Sequence, residues 1–247
     1  MPSTATAWPA SRAERGTFSS ASPGGTLTSS VSPDSSRSSS TFVLTHVIGQ
    51  RRELTSSERT TSGTVAAGMR RPSYLILHGY QGSGPGHWQT WLAGRLRSTD
   101  AAVHYPDLPD ADAPSLHSWL DALKGELDAI GEPPIVVCHS LACALWLHHV
   151  AAEGADAERV LLVAPPSLAG VPDVLAGFFP VPAVEPGNTR LVCSGDDPYC
   201  PEGATTLYPG PADVLPGQGH INPDAGYGPW PAVEAWAREG TVPLTAR

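Results

Sequence analysis

The feature that most constrains the fold is a series of short, wholly apolar segments separated by stretches with helical periodicity. Four such segments lie at residues 74–77, 135–138, 160–164 and 191–193, and a weaker one lies at 103–105. Because successive positions in each segment are apolar, both faces of the strand it forms are expected to be buried. Buried strands separated by helices predict an α/β fold with a mostly parallel sheet and helices on both of its faces.

The intervening stretches have apolar residues at three- and four-residue intervals, which is typical of helices. The clearest begins after Ser115, a predicted N-cap, and ends at residues 131–134, where Gly and Pro stop a helix. Further helices are predicted at residues 87–97, 141–153 and 231–238. In parallel sheets of this kind, ligands bind at the carboxyl ends of the strands. The residues that follow each strand are therefore the candidates for a functional site.

The first 68 residues differ in composition and are predicted to be a disordered extension of a domain at residues 69–247. About two-fifths of them are Ser or Thr, and the apolar residues are too scattered to bury a core. Residues 41–49 are an alternative candidate for a strand. The segment is not typical of a signal peptide, while a transit peptide stays open. We expect translation to start at Met69, or the extension to be dispensable.

Charge and cysteine content exclude several classes of function. Of the 15 basic and 24 acidic residues of the chain, nine and 20 lie beyond residue 68, which gives this part a net charge of about −11. Binding to nucleic acid or an anionic membrane is therefore disfavoured, and no apolar run approaches the roughly 20 residues that span a bilayer. The spacing of Cys138, Cys143, Cys193 and Cys200 indicates neither a zinc site nor a disulfide framework. We expect a reduced, cytoplasmic protein without metal or cofactor.

Residues 138–142, with the sequence Cys-His-Ser-Leu-Ala, lie between a predicted buried strand and a predicted helix. This is the pattern of a nucleophile elbow, a sharp strand-to-helix turn usually written Gly-x-Ser-x-Gly. Cys138 and Ala142 replace the two Gly residues and are small enough for the close packing of such a turn. Ser140 is thus the candidate nucleophile at a helix N-terminus, which favours developing negative charge. The alternative is that Ser140 only caps the helix.

A second motif, residues 78–81 with the sequence His-Gly-Tyr-Gln, follows the first buried strand. In α/β-hydrolases this position supplies one arm of the oxyanion hole, so the backbone N–H groups of Tyr80 and Leu141 are the predicted donors. The Gly-rich residues 82–87 lack the Gly-Lys-Ser/Thr ending of a phosphate-binding loop, which disfavours nucleotide binding.

Acid and base candidates follow later in the chain. Asp196 and Asp197 come directly after the last buried strand, and the Pro residues that follow favour Asp197 as the acid, with Asp196 as the alternative. His220 lies in a Gly-lined loop before the last predicted helix and is the His placed where the fold needs a base. The order Ser, Asp, His is that of the α/β-hydrolases.

Together these motifs resemble the small serine hydrolases related to retinoblastoma-binding protein nine, within the α/β-hydrolase superfamily. The matching segments are residues 78–89, 139–141, 163–166, 196–199, 219–222 and 228–231. The resemblance covers residues 72–239 and none of the extension. It implies a compact, cofactor-free α/β-hydrolase without a large cap, a triad of Ser140, Asp197 and His220, and carboxylesterase or serine hydrolase activity.

Two features depart from the family pattern. Ala142 stands where members usually have Gly, and residues 203–211 contain Gly and Pro where members carry a helix between the acid and the base. These departures support an alternative hypothesis, a binding or scaffold protein on a catalytically weakened hydrolase fold.

The favoured hypothesis is hydrolysis of small acyl esters through an acyl-enzyme intermediate, with amidase and acyltransferase chemistry left open. Leu175, Phe178 and Phe179 are candidates for lining an acyl pocket, with core packing as the alternative. Because little sequence is available for a lid, short acyl groups are favoured over long lipids.

Overall fold

The computed structural model describes residues 71–185, 187–208 and 210–247 of the 247-residue chain. Three expectations lie outside the described residues: the disordered extension at residues 1–68, the alternative strand at 41–49 and the start at Met69.

Six strands form one parallel sheet in the order β2-β1-β3-β4-β5-β6. They are β1 (Ser73–Leu77), β2 (Ala102–His104), β3 (Ile135–His139), β4 (Arg159–Val163), β5 (Thr189–Cys193) and β6 (Ala212–Val214). The first five confirm the sequence prediction to within two residues at either end. The sixth was missed, since it has only three residues and lies at the sheet edge. It is held there by an ion pair in which Arg190 of β5 donates to both carboxylate oxygens of Asp213, at 2.6 and 2.8 Å.

Five α-helices accompany the sheet, namely α1 (Trp88–Arg97), α2 (Leu116–Ile130), α3 (Leu141–Glu153), α4 (Ala204–Leu207) and α5 (Pro231–Glu239). The four longer helices confirm the predicted ones to within a residue at either end. Ser115 is the N-cap of α2, and Gly131 ends that helix in the left-handed conformation, as its Gly-Pro stop signal predicted. The short α4 lies within residues 203–211, the stretch that Gly and Pro interrupt, and forms a single helical turn there.

Two apolar layers cover the sheet, because alternate strand residues point to opposite faces. On β1, Leu75 and Leu77 face the layer that contains α2 and α3, whereas Tyr74 and Ile76 face the layer that contains α1 and α5. This arrangement confirms the predicted parallel sheet with helices on both faces. No helix in the described ranges is long and apolar enough to cross a membrane.

The carboxyl ends of the strands lie at one edge of the sheet, because all six strands are parallel. The connection from β4 to β5 contains two 3-10 helices, Leu168–Gly170 and Asp173–Phe178, over its described part. No large cap is therefore present in the described residues of this connection, and the segments after β1, β3 and β5 meet at this edge of the sheet.

A substitution at Leu162 of β4 tests this packing, since the side chain is wholly buried at the centre of the sheet. Leu162→Ala is expected to lower the free energy of unfolding by about 2–5 kcal/mol, because it removes buried methyl groups and leaves a cavity. The matched control, Leu168→Ala, changes a side chain that is 56% exposed and is expected to cost less than about 0.5 kcal/mol. Chemical denaturation measures both values, and equal losses would contradict the placement of β4.

Candidate active site

Ser140 lies on a sharp turn between β3 and α3. Its backbone has φ +55° and ψ −124°, a conformation that costs an L residue on the order of 1–3 kcal/mol. The Ser140 N–H donates to the carbonyl of Val163 at 2.9 Å, and the N–H of Cys143 donates to the Ser140 carbonyl at 2.9 Å. These two bonds fix the turn between the neighbouring strand and the first turn of α3.

The two residues that replace Gly in the elbow pattern fit the turn. Cys138 and Ala142 are both wholly buried, so the structure accommodates their side chains in the core. Burial raises the pKa of the Cys138 thiol, which keeps it neutral. Replacement of both Gly residues is therefore compatible with the sharp turn that places Ser140.

Gly79 allows the end of β1 to approach Ser140 closely. A Cβ atom at this position would lie 2.7 Å from the Ser140 Cβ and 3.3 Å from its Oγ, so a side chain does not fit. The next residue, Tyr80, is thereby brought beside the turn. On the other side, Leu141 is the first residue of α3, and its N–H has no acceptor within the helix. The two predicted oxyanion donors thus belong to the two backbone segments that flank Ser140.

The structure brings Ser140, His220 and Asp197 together. His220 Nε2 lies 2.9 Å from Ser140 Oγ, and His220 Nδ1 lies 3.0 and 2.9 Å from the two carboxylate oxygens of Asp197. Each residue is only 5% exposed, so these interactions act in a medium of low dielectric constant. A carboxylate only accepts hydrogen bonds, so Nδ1 carries the proton and Nε2 is free to accept the Ser140 hydroxyl.

The two adjacent Asp residues contact different groups. Asp197 faces the His220 ring and also accepts the backbone N–H of Tyr199 at 2.9 Å. Asp196 instead accepts the N–H of Gly219 at 3.1 Å and bonds the Ser194 hydroxyl. The Ser194 hydroxyl lowers the pKa of the Asp196 carboxyl. Asp196 therefore binds the backbone of the loop that leads to His220, while Asp197 alone of the pair meets the ring.

Three aromatic residues near His220 were missed by the sequence reasoning. His139 Nε2 lies 3.1 Å from the His220 carbonyl oxygen, and its ring packs edge-on against His87, with 4.8 Å between ring centroids. Trp88 Nε1 donates to the Ile221 carbonyl at 2.9 Å. Burial lowers the pKa of His87 to about 4 and lowers the pKa of His139 well below its ordinary value. Both rings are therefore neutral near pH 7.

The predicted acyl-pocket residues divide into two groups. Leu175 and Phe178 are each 1% exposed and pack in the core against α2 and α3, which favours the packing alternative for them. Phe179 borders a mostly apolar cavity of about 280 Å³, whose lining also includes Leu168, Leu207 and the Glu202 carboxylate. This cavity is formed by segments that follow β4 and β5.

No group of three or more His, Cys, Asp or Glu side chains is arranged to hold a metal ion within the residues that the structure describes. The four Cys residues are buried free thiols.

A parallel sheet with helices on both faces, and a Ser on a tight turn after a central strand, define this chain as an α/β-hydrolase. A family model described as serine hydrolase matches residues 74–238, which is well over half of the chain. The chain therefore belongs to the serine hydrolase family.

Solved structures show the same fold. YdeN of Bacillus subtilis superposes with a TM-score of 0.57 at 23% identity, covering 66% of this chain and 95% of YdeN. A YdeN-like hydrolase of Pectobacterium atrosepticum gives a TM-score of 0.57 at 22% identity, covering 70% of this chain and 94% of that chain. By sequence, YdeN, which is named as a hydrolase, is 35% identical over 68 residues. That match spans 28% of this chain and 36% of YdeN.

The close approach at Gly79 is testable by adding one methyl group. Gly79→Ala is expected to lower the free energy of unfolding by about 1–3 kcal/mol, since the new methyl overlaps Ser140. Gly84→Ala, in the loop between β1 and α1, meets nothing within 4 Å and is expected to be neutral or slightly stabilising. Chemical denaturation compares the two, and a neutral Gly79→Ala would show that β1 lies further from the turn.

Proposed function

We propose that this protein hydrolyses small acyl esters, with Ser140 as nucleophile, His220 as general base and Asp197 as the acid partner. The observation that carries the proposal is the unbroken hydrogen-bonded series from Asp197 through His220 to Ser140, at 2.9 to 3.0 Å. This is the geometry that an activated serine nucleophile requires.

The first half-reaction transfers the acyl group to the protein. His220 Nε2 takes the hydroxyl proton as Ser140 Oγ attacks the ester carbonyl carbon, and a tetrahedral intermediate forms. The N–H groups of Tyr80 and Leu141 are the proposed donors to its oxyanion. His220 then gives its proton to the departing alkoxide oxygen, which leaves as the alcohol. Ser140 is left as an acyl ester.

The second half-reaction reverses these roles with water. His220 takes a proton from water as its oxygen attacks the acyl-Ser140 carbonyl, and returns that proton to Ser140 Oγ when the carboxylic acid leaves. Asp197 stabilises the imidazolium that exists during both steps and keeps the ring in the tautomer with Nε2 unprotonated. No other proton carrier is required.

The surroundings of Ser140 favour small, uncharged esters. The described part of the β4–β5 connection holds only two 3-10 helices, so little structure is available to enclose a long lipid. The apolar cavity bordered by Phe179 is formed by segments that follow β4 and β5 and is the proposed location of the apolar part of the substrate. The Glu202 carboxylate in its lining disfavours anionic substrates through charge repulsion.

Removal of the Ser140 hydroxyl tests the proposed nucleophile. Hydrolysis of p-nitrophenyl acetate, butyrate and octanoate by the full chain is expected to fall roughly 10³-fold or more in Ser140→Ala. Ser118→Ala, a partly exposed position on α2, is the control and is expected to match wild type. Circular dichroism confirms that both variants fold. Hydrolysis that is absent from folded wild type, or unchanged in Ser140→Ala, would favour the binding-protein alternative.

One matched pair of substitutions distinguishes the roles of Asp196 and Asp197. Asp197→Asn is expected to lower kcat by roughly 10³- to 10⁴-fold, because an amide in contact with Nδ1 favours the wrong tautomer of His220. Asp196→Asn keeps an oxygen that can accept the Gly219 N–H, so a loss of less than about tenfold is expected. Steady-state kinetics on the same esters measures both, and the reverse ranking would make Asp196 the acid.

A further inference from the structure

The loop that carries His220 is anchored residue by residue. This base loop, residues 218–221, has no helix or strand of its own. Each of its four residues makes one backbone hydrogen bond to a side chain elsewhere in the chain. The bonds are Gln218 N–H to Ser194 Oγ at 2.9 Å, Gly219 N–H to Asp196 Oδ1 at 3.1 Å, His139 Nε2 to His220 O at 3.1 Å and Trp88 Nε1 to Ile221 O at 2.9 Å.

The base loop needs such anchors because its backbone is conformationally demanding. Gly219 and Ile221 have φ angles of +52° and +49°, and the second is costly for a β-branched residue. Catalysis nevertheless requires the His220 ring to stay within about 0.5 Å of its working position. Side-chain bonds from other segments, including β3 and α1, therefore supply an order that the loop itself lacks.

His139 differs from the other three anchors in its position. It is the last residue of β3 and directly precedes Ser140, so its bond joins the backbone of the base to the backbone beside the nucleophile. Its ring is enclosed by Trp88, at 5.7 Å between centroids, and by His87. Since a carbonyl only accepts, Nε2 of His139 carries the proton and donates.

We propose that His139 is a positioning residue, which holds His220 within proton-transfer distance of Ser140 by donating to the His220 carbonyl oxygen. The inference rests on the proposed function, since it assigns His220 the role of base. The hydrogen bond of His139 ends at a backbone oxygen and not at a reacting atom, so in this proposal His139 acts through the backbone of the base loop.

The charge state of His139 suits this role. Burial lowers its pKa well below the ordinary value of histidine, so the ring is neutral when His220 takes up the Ser140 proton. A cation at this position would lie beside the new imidazolium, with only 5.1 Å between the ring centroids, and would oppose its formation.

Two amide substitutions separate the hydrogen bond from the packing of the ring. The amide nitrogen of Gln reaches approximately the position of His Nε2, whereas that of Asn is one methylene shorter; both replacements remove the ring from contact with His87 and Trp88. We expect His139→Asn to lower kcat by about 10- to 100-fold with KM within about threefold, and His139→Gln to stay within about fivefold of wild type.

A control comes from a similar bond elsewhere in the molecule. His148 Nε2 on α3 lies 3.0 Å from the Phe178 carbonyl oxygen, away from the base loop, and His148→Asn is expected to leave kcat within about twofold. His139→Leu, which is apolar and of similar size, serves as a second variant if His139→Asn does not fold. Neither side chain places a donor within reach of the His220 carbonyl oxygen, and in this sense both are called donor-free variants. Equal losses in the Gln variant and a donor-free variant, or a donor-free loss no larger than that of His148→Asn, would overturn the proposal.

A second readout does not depend on turnover. The proton between His220 Nδ1 and Asp197 is expected to give a downfield NMR signal in wild type and His139→Gln, and an exchange-broadened signal in the donor-free variants. If wild type shows no hydrolysis that Ser140→Ala removes, the proposed function fails while this comparison still decides the role of His139. An unchanged signal in a folded donor-free variant would then overturn the inference.

Discussion

The site depends on the turn at Ser140, where a strained backbone is held against the sheet. The cost of this conformation is on the order of 1–3 kcal/mol, and the elements on either side of it are among the most buried in the chain. All five residues of β3 are buried, as are nine of the 13 residues of α3. At roughly 1.5–3 kcal/mol for each large apolar side chain buried, this packing far exceeds the strain. Ser140 is thus held in place by the core itself.

The fold was largely predictable because the central elements are apolar in regular patterns. β3, β4 and β5 are buried on both faces, and the residues of α2 repeat at helical intervals, so each left a clear signal in the sequence. The edge strand β6 left none, since its three residues alternate between exposed and half-buried. The position of β6 depends on the contact of Asp213 with Arg190 of the neighbouring strand. A local sequence pattern does not reveal such a contact between distant residues.

The candidate site likewise has a part that the sequence predicted and a part that it did not. Ser140, Asp197 and His220 were predictable because the fold places each at a recognisable point in the chain, and the structure brings all three together. Their supporting contacts were not predictable. The bond from His139 to the His220 carbonyl spans 81 positions and the bond from Trp88 to Ile221 spans 133. Strand alternation indicates to which face of the sheet His139 points, but not what it meets there. Side-chain bonds to a loop backbone require no particular residue type in the loop, so they leave little trace in its sequence.

The buried thiols around this site have a consequence for how the folded state can be observed. Cys138 and Cys143 lie on either side of Ser140 and are wholly buried, and burial raises the pKa of both thiols above the ordinary value. Alkylating reagents attack the thiolate, so they reach these residues only when β3 and α3 separate. The rate of alkylation at Cys138 or Cys143 therefore measures how often the turn at Ser140 opens. In this serine hydrolase, the two cysteines thus report the local stability of that turn.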